Sequence, residues 1–332
     1  AARTPALPRA LMGVSFIITS RNEDPAVLDK TLVGLRATVS HVHHEIIVVD
    51  DGSRIPVSVS AADVDLRVLR NEEPIGVCRS RRLGASVAAG DAFVWLDAHM
   101  TFGEGWLEQM LLHADARTVV TSPFWSYDLE QCLCWGADFV WNAERDYSAQ
   151  RYPGFGLRHR TWAPDAIVAD VPMMIGACYM MRRDAHEWLG GFSPHFRVWG
   201  VDEQDISARA WMLGMRVRCA TRARIGHLSR DAFPYPVQFE HLEFNQRTLI
   251  RTVFEPATVR RLEAAFEPSP AIVDRWLEAD VAVWRAIVQT RRTMTDAEFF
   301  ARFVPELAST DDSPAGGEGG AMAVDAAEAV DA

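Results

Sequence analysis

The sequence predicts an α/β fold: a mostly parallel central sheet flanked by helices, followed by C-terminal helices. Three observations lead there. Short apolar runs rich in β-branched residues, at 14–19 and 45–50, alternate with segments of helical spacing, the pattern of crossovers between parallel strands. A chain of 332 residues can bury both faces of such a sheet. Asp50, Asp51 and Asp97 fall just past predicted strand ends, where open α/β sheets bind their ligands.

The run at 14–19, closed by Ser20-Arg21-Asn22, reads as a first buried strand. Asp24 and Pro25 form an N-cap and first-turn proline that open a helix through about Val39. The second strand, 45–50, ends in Asp50-Asp51-Gly52-Ser53, a sequence of turn formers. A third strand falls at 66–69. The arginine-rich stretch 76–89 reads as a helix closed at its C-terminal end by Gly90. A fourth strand at 92–96 leads directly into Asp97-Ala98-His99, and helical spacing at 104–114 precedes a fifth strand at 118–121.

From 123 to 170 the patterning fades while Trp, Tyr, Pro and Gly accumulate, which predicts a functional loop or acceptor-side insertion. Trp125, Trp135, Trp141 and Trp162 either stack on a ligand there or fill the insertion's core, and both readings stay open. Further on, a strand is expected at 173–181, helices at 184–189 and 202–213, and a strand at 217–220. Helices follow in parts of 237–266, at 272–290 and at 296–303. From 309 onward Ser, Gly, Ala and Asp dominate without periodicity, which reads as a disordered acidic tail.

Composition removes some classes of function. The formal net charge is -11, with 45 acidic against 34 basic residues, which argues against nucleic acid or an anionic membrane as the main partner. No apolar run is long enough to cross a bilayer. Residues 1–10 carry prolines and no continuous apolar stretch, unlike a signal peptide. Five scattered cysteines read as free thiols in a reducing compartment, so a cytoplasmic location is expected. Cys132 and Cys134 lack a second pair at zinc-site spacing and read as packing residues.

Asp97-Ala98-His99 places a carboxylate and an imidazole at i and i+2, on one side of extended backbone. That mixed donor set suits manganese better than magnesium, which favours all-oxygen octahedra. Alone, the pair is a weak signal and reads more readily as a cap and a surface histidine. Its surroundings add weight. The stretches Ser15-Phe-Ile-Ile-Thr-Ser-Arg-Asn-Glu23, Glu45-Ile-Ile-Val-Val-Asp-Asp-Gly-Ser53, Gly76-Val-Cys-Arg-Ser-Arg-Arg-Leu-Gly84 and Trp95-Leu-Asp-Ala-His99 occur in order. Gly105-Trp-Leu-Glu108, Trp199-Gly-Val-Asp-Glu-Gln-Asp-Ile-Ser207 and Ile225-Gly-His-Leu-Ser-Arg230 follow. Together they resemble the GT-A glycosyltransferases of the family-two type, and among them the catalytic domain of the polypeptide N-acetylgalactosaminyltransferases.

The resemblance implies a role for each matching residue. Asp97, His99 and His227 match three metal ligands, which would hold Mn2+, or Mg2+, against the diphosphate of a UDP-sugar. Thr19, Arg21 and Asp50 match positions that hold uridine, although relatives usually carry histidine where Arg21 stands. Asp50 also reads as a plain turn former. Arg79 matches an arginine across the nucleotide–sugar side of the cleft, while Arg81 and Arg82 read as a solvated face. Arg230 and Tyr235 match a loop that closes over the diphosphate. Trp199 and Asp202 match a tryptophan and a glutamate beside the transferred sugar. Asp202 is the first choice for the acceptor-side carboxylate and Glu203 the second; as an alternative, the acidic residues opening this helix, Asp205 among them, complement its dipole.

Two departures stand out. Ile175-Gly-Ala-Cys178 replaces a double glycine that lies under the sugar in the relatives, and neither a lectin domain nor a transmembrane anchor is recognisable. The expected organisation is a flexible N-terminus (1–12), a catalytic domain (13–235) with a nucleotide-binding part (13–122) and an acceptor and sugar part (123–235), a helical extension (236–308) and the tail (309–332). The expected activity is metal-dependent transfer of a hexosyl or N-acetylhexosaminyl group to a hydroxyl on a peptide, glycan or small metabolite. Retention and inversion both stay open. The alternatives are a metal-dependent nucleotide-sugar hydrolase or nucleotidyltransferase, and a catalytically silent binding module.

Overall fold

β1 (Val14–Ser20) is apolar along almost its whole length, so it belongs inside a sheet covered on both faces. The computed structural model places it there. The structure describes residues 13–58, 65–144, 152–161, 164–230, 233–237, 239–264, 266 and 271–308, with backbone alone for 239 and 271–280. The expected N-terminus at 1–12, the acidic tail at 309–332 and Trp162 lie outside the described residues.

β1 pairs in parallel with β2 (His44–Asp51), and β2 with β3 (Leu66–Asn71). On its other side β1 pairs in parallel with β4 (Ala92–Asp97). The helix α1 (Pro25–Val39) starts as expected: Asp24 caps it, accepting from the Ala26 N–H at 2.9 Å. Its stripe of Leu28, Leu32, Leu35 and Val39 is buried. α2 (Val77–Val87) lies directly on β1 because Gly84 has no side chain; a Cβ there would stand 2.4 Å from Ile17 Cγ2. Gly90 is not a helix cap. α2 ends with Ala88 extended, and Gly90 is needed because a Cβ would lie 2.7 Å from the Ser15 nitrogen.

After the short β5 (Met100–Phe102) and α3 (Trp106–Leu111), β6 (Thr118–Thr121) rejoins the main sheet. The expected loop at 123–170 contains regular structure: β7 (Phe124–Ser126) with β8 (Cys132–Cys134), and the antiparallel ribbon of β9 (Ala137–Asn142) and β10 (Gly154–His159). Trp135 is buried, and Trp141 packs edge-on to Phe155 at 5.1 Å. All five cysteines are free, and Cys134 is a core residue.

β11 (Ala169–Asp170), β12 (Cys178–Arg182) and, beyond α4 (Arg183–Leu189) and α5 (Asp202–Met212), β13 (Arg216–Cys219) complete the sheet in the order β11-β13-β6-β12-β4-β1-β2-β3. This half is mixed. β12 runs antiparallel to both β4 and β6, and β11 antiparallel to β13. An apolar run announces burial but not direction, which depends on the route the chain takes between strands. The strand expected from 173 starts only at Cys178, because the N–H groups of Met174 and Ile175 donate to Ser207 Oγ and Thr121 Oγ1 instead.

A second sheet holds β14 (Ile225–His227) between β5 and β7, with β8 outermost. Behind these layers lie α6 (Phe239–Val253), α7 (Pro256–Glu263), α8 (Ala271–Arg291) and α9 (Asp296–Phe303). Phe254 joins them to the ribbon, its ring 5.6 Å from Phe155 and 5.2 Å from Phe300. No helix among the described residues is long and apolar enough to cross a membrane.

Gly226 lets β14 fit its slot. A Cβ there would lie 2.3 Å from Thr101 Oγ1 and 2.6 Å from Ser126 O. Gly226→Ala is therefore expected to cost about 1–3 kcal/mol, the usual range for overpacking. A urea midpoint equal to that of the wild type would contradict this account of the second sheet.

Candidate active site

β4 ends at Asp97 and β5 begins at Met100, so His99 sits on a tight turn beside the strand end. β14 pairs antiparallel with β5 in the register His227↔Met100, and the Leu228 N–H donates to the His99 carbonyl at 3.1 Å. That pairing brings a distant histidine to the turn. Donor atoms of Asp97, His99 and His227 lie within 4.8 Å of one another. His227 Nε2 is 3.3 Å from Asp97 Oδ2, and the two imidazole rings are 4.5 Å apart, edge to face.

The surroundings suit a metal ligand set. Burial pulls His227 below its ordinary pKa despite Asp97, which keeps the imidazole neutral with a lone pair to give. Its Nδ1 is buried and has no hydrogen-bond partner among the described residues. Burial alone would raise Asp97, but the His227 hydrogen bond and the charge of Arg81 outweigh it and hold the carboxyl down to about 2. Glu23 accepts from His99 Nδ1 at 2.9 Å and also pairs with Arg230; it fixes the ring and turns its other nitrogen toward the site.

The triad lies in a cleft of about 980 Å³ of open space. Of the residues singled out in the sequence, Thr19, Arg21, Asp97, His99, Trp199, Asp202, Glu203, His227, Arg230 and Tyr235 line it. Asp50 and Arg79 do not. Asp50 is fully buried, accepting from the Ser53 and Val57 N–H groups at 2.9 and 3.0 Å and pairing with Arg70. Successive residues on a strand face opposite ways, and it is Asp51 that reaches the cleft wall. There it accepts from the N–H groups of Ile75 and Gly76 at 2.7 and 3.0 Å.

A displacement, here of two positions, also affects the arginines. Arg79 is exposed and donates to the Pro194 carbonyl at 2.7 Å. Arg81, read from sequence as solvated, is buried between Asp97 (3.0 Å) and Asp202. Its helical spacing from Cys78 and Ala85, both buried on α2, is the signal that could have placed it inward. Arg82 is exposed, as expected.

A loop at 197–201 forms the opposite wall. Val198 and Val201 have φ of 50° and 73°, costly for β-branched side chains. Asn245, fully buried on α6, holds the loop with four hydrogen bonds: it accepts from the Arg197 N–H at 2.8 Å and donates to the carbonyls of Arg197, Trp199 and Gly200 at 3.0, 3.2 and 3.0 Å. Trp199 meets Phe233 at 4.7 Å, and the Arg21 guanidinium lies 4.6 Å from the centre of the Tyr235 ring. The 233–235 segment is thus folded down over the cleft.

Glu203 occupies the space that Gly176 leaves open; a Cβ on Gly176 would lie 1.9 Å from Glu203 Oε1. Burial and the neighbouring Asp202 push the Glu203 carboxyl up to about 8. Two adjacent carboxylates therefore sit in different environments, one against Arg81 and one on a glycine.

Comparison with known proteins gives the family and the fold. Residues 15–190 match the profile of "Glycosyl transferase family 2", and residues 162–230 that of "N-terminal domain of galactosyltransferase". Polypeptide N-acetylgalactosaminyltransferase 3 of Drosophila melanogaster is 30% identical over 243 residues, covering 68% of this chain and 36% of the relative. Polypeptide N-acetylgalactosaminyltransferase 5 of Caenorhabditis elegans is 29% identical over 255 residues, covering 69% and 38%. The chain thus spans little more than a third of the length of these two relatives. A crystal structure of GalNAc-T7 with UDP, GalNAc and Mn2+ superposes with a TM-score of 0.68 at 17% identity, covering 91% of this chain and 58% of that one, which establishes the GT-A fold.

The Glu203 environment has a measurable consequence. Between the ordinary value of 4.5 and about 8, the folded protein keeps a proton that the unfolded chain has lost, so stability from this group falls as pH rises. In metal-free protein, Glu203→Gln is expected to gain stability relative to wild type from about pH 5 to pH 8. A difference between the two that stays flat across that range would refute the assignment.

Proposed function

The chain belongs to glycosyl transferase family 2, and from that premise we propose that this glycosyltransferase moves a sugar from a UDP-sugar to a hydroxyl-bearing acceptor and requires a divalent cation. The observation that carries the proposal is the meeting of Asp97, His99 and His227 at the floor of a cleft lined by nucleotide- and sugar-binding candidates. Their mixed carboxylate and imidazole donors favour manganese over magnesium. When bound, the cation supplies positive charge for the oxygens of the departing diphosphate.

The chain's own residues divide the remaining work. Thr19, Arg21 and Asp51 hold the nucleoside end, with Asp51 taking the position that sequence assigned to Asp50, and Tyr235 stays with Arg230 on the loop over the diphosphate. Arg230 approaches the diphosphate; its pairing with Glu23 keeps it close to the metal ligands. Arg81 joins Asp97 to Asp202 and so ties the donor side to the acceptor side. Trp199 packs beside the transferred sugar.

In the transfer, the acceptor oxygen bonds to C1 of the sugar while the bond from C1 to the β-phosphate oxygen breaks, and its electron pair leaves on UDP. Asp202 is the first choice for receiving the acceptor proton in an inverting reaction. Glu203 already holds a proton near neutral pH and is suited to donating a hydrogen bond to a sugar or acceptor hydroxyl. We assign this chemistry to residues 13–235, with the helices of 236–308 as support. The transferred group is a hexose or N-acetylhexosamine, and the acceptor a peptide, glycan or small metabolite.

Incubating the protein with a panel of UDP-sugars and acceptors tests the proposal through UDP release. Chelation is expected to abolish turnover and manganese to restore it; His227→Ala should lose nearly all of it, and wild-type rates in that variant would overturn the ligand set. Release that never depends on any acceptor would favour hydrolysis instead. Glu23→Gln, which leaves the ligands intact, is expected to weaken manganese affinity about 10- to 100-fold. Unchanged affinity would remove Glu23 from its orienting role.

A further inference from the structure

Arg21, Asn22 and Glu23 lie between the end of β1 and the cap of α1, and each holds one point on the chain beyond β14. The Arg21 guanidinium lies 4.6 Å from the centre of the Tyr235 ring, Asn22 Nδ2 donates to Pro234 O at 3.1 Å, and Glu23 pairs with Arg230. Arg230, Phe233, Pro234 and Tyr235 all line the donor cleft. Consecutive residues at one strand end therefore clasp the wall that carries the two residues assigned to the diphosphate.

Asn22 has the most restricted part in this clasp. Its φ of 55° is left-handed, a conformation that asparagine tolerates better than most side chains. Its N–H donates to Ser53 Oγ at 2.8 Å, and its Oδ1 accepts from the Arg54 N–H at 2.9 Å. With backbone and side-chain oxygen both engaged, the amide nitrogen is the group left to face the Pro234 carbonyl. Among the described residues, that amide alone hydrogen-bonds to the backbone of 233–235. An aspartate here would keep the bond from Arg54 but set a carboxylate oxygen against a carbonyl. Arg21 and Glu23 have further contacts, at the cleft and at His99; Asn22 does not line the cleft and touches only what surrounds it.

We propose that Asn22 is a positioning residue for the donor: its amide anchors the segment carrying Tyr235, keeps that segment beside Arg230, and so sets how long the diphosphate stays bound. The inference rests on the glycosyl-transfer reading above, in which Arg230 and Tyr235 meet the diphosphate. Holding Pro234 also keeps Phe233 against Trp199, 4.7 Å between rings, so the anchor acts on both sides of the donor. Groups ordered before the nucleotide arrives lose little entropy on binding it.

Release of UDP from the full chain loaded with manganese, followed by stopped flow, tests the anchor. Asn22→Asp is expected to release UDP about tenfold faster, through one lost hydrogen bond and two opposed oxygens. Manganese affinity of the UDP-free protein and the thermal midpoint are expected to stay at wild-type values, which a general loosening of the fold would not allow. Asn22→Gly keeps the left-handed backbone without the amide and should show the same acceleration; it decides the matter if Asn22→Asp folds poorly. Wild-type release rates in a folded variant, or a loss of manganese affinity as large as the change in release, would overturn the proposal. Failure of wild-type protein to bind UDP with manganese would count against the donor reading instead. Amide hydrogen exchange at Phe233 and Tyr235 in unloaded protein, faster in Asn22→Asp if the anchor holds and unchanged if it does not, would then settle the anchoring itself.

Discussion

The site depends on one short backbone pairing. β5 follows the Asp97 turn immediately, whereas β14 arrives only after the chain has built the ribbon, the rest of the sheet and α5. Only their antiparallel register sets His227 opposite Met100, within reach of Asp97. Gly226 makes room for that register. Until these three-residue strands pair, a carboxylate and an imidazole stand together at the end of β4 without their third partner. The candidate metal site is therefore a tertiary feature, and its geometry reports on the packing of the whole second sheet.

A cleft this rich in carboxylates needs internal compensation, because unpaired buried charge is costly. Glu23, Asp97, Asp202 and Glu203 converge on it. Arg81 neutralises the middle of the group from the floor, and Arg230 the mouth. Glu203 escapes the remaining repulsion by keeping its proton. This division leaves negative charge at Asp97, where a cation is wanted, and a neutral acid deeper in the site. The strained wall opposite is secured by Asn245, so two unfavourable valine conformations are offset by a fully buried polar clamp.

Much of this was legible in the sequence where local signals are strong. The buried strands β1, β2 and β4, the capped α1 and the Asp97-Ala98-His99 turn follow from apolar runs and turn chemistry. The positions that were displaced share a physical cause. Asp50 and Asp51 are neighbours on a strand and face opposite ways, and Arg79 and Arg81 lie on different faces of α2; choosing between neighbours requires the orientation of each element against the sheet. The direction of β12, the regular structure within 123–170, the role of Glu23 and the clamp by Asn245 depend on contacts between distant segments. No local pattern announces them.

The central claim is that a single cation is held by one carboxylate and two imidazoles from β4, its following turn and β14. Pulsed electron paramagnetic resonance on the protein loaded with manganese and UDP tests this directly, since coordinated imidazole nitrogens couple to the electron spin. Couplings from two histidine nitrogens, one of them lost in His227→Ala, are expected. A spectrum free of nitrogen coupling, as from manganese held by oxygen ligands alone, would contradict the account.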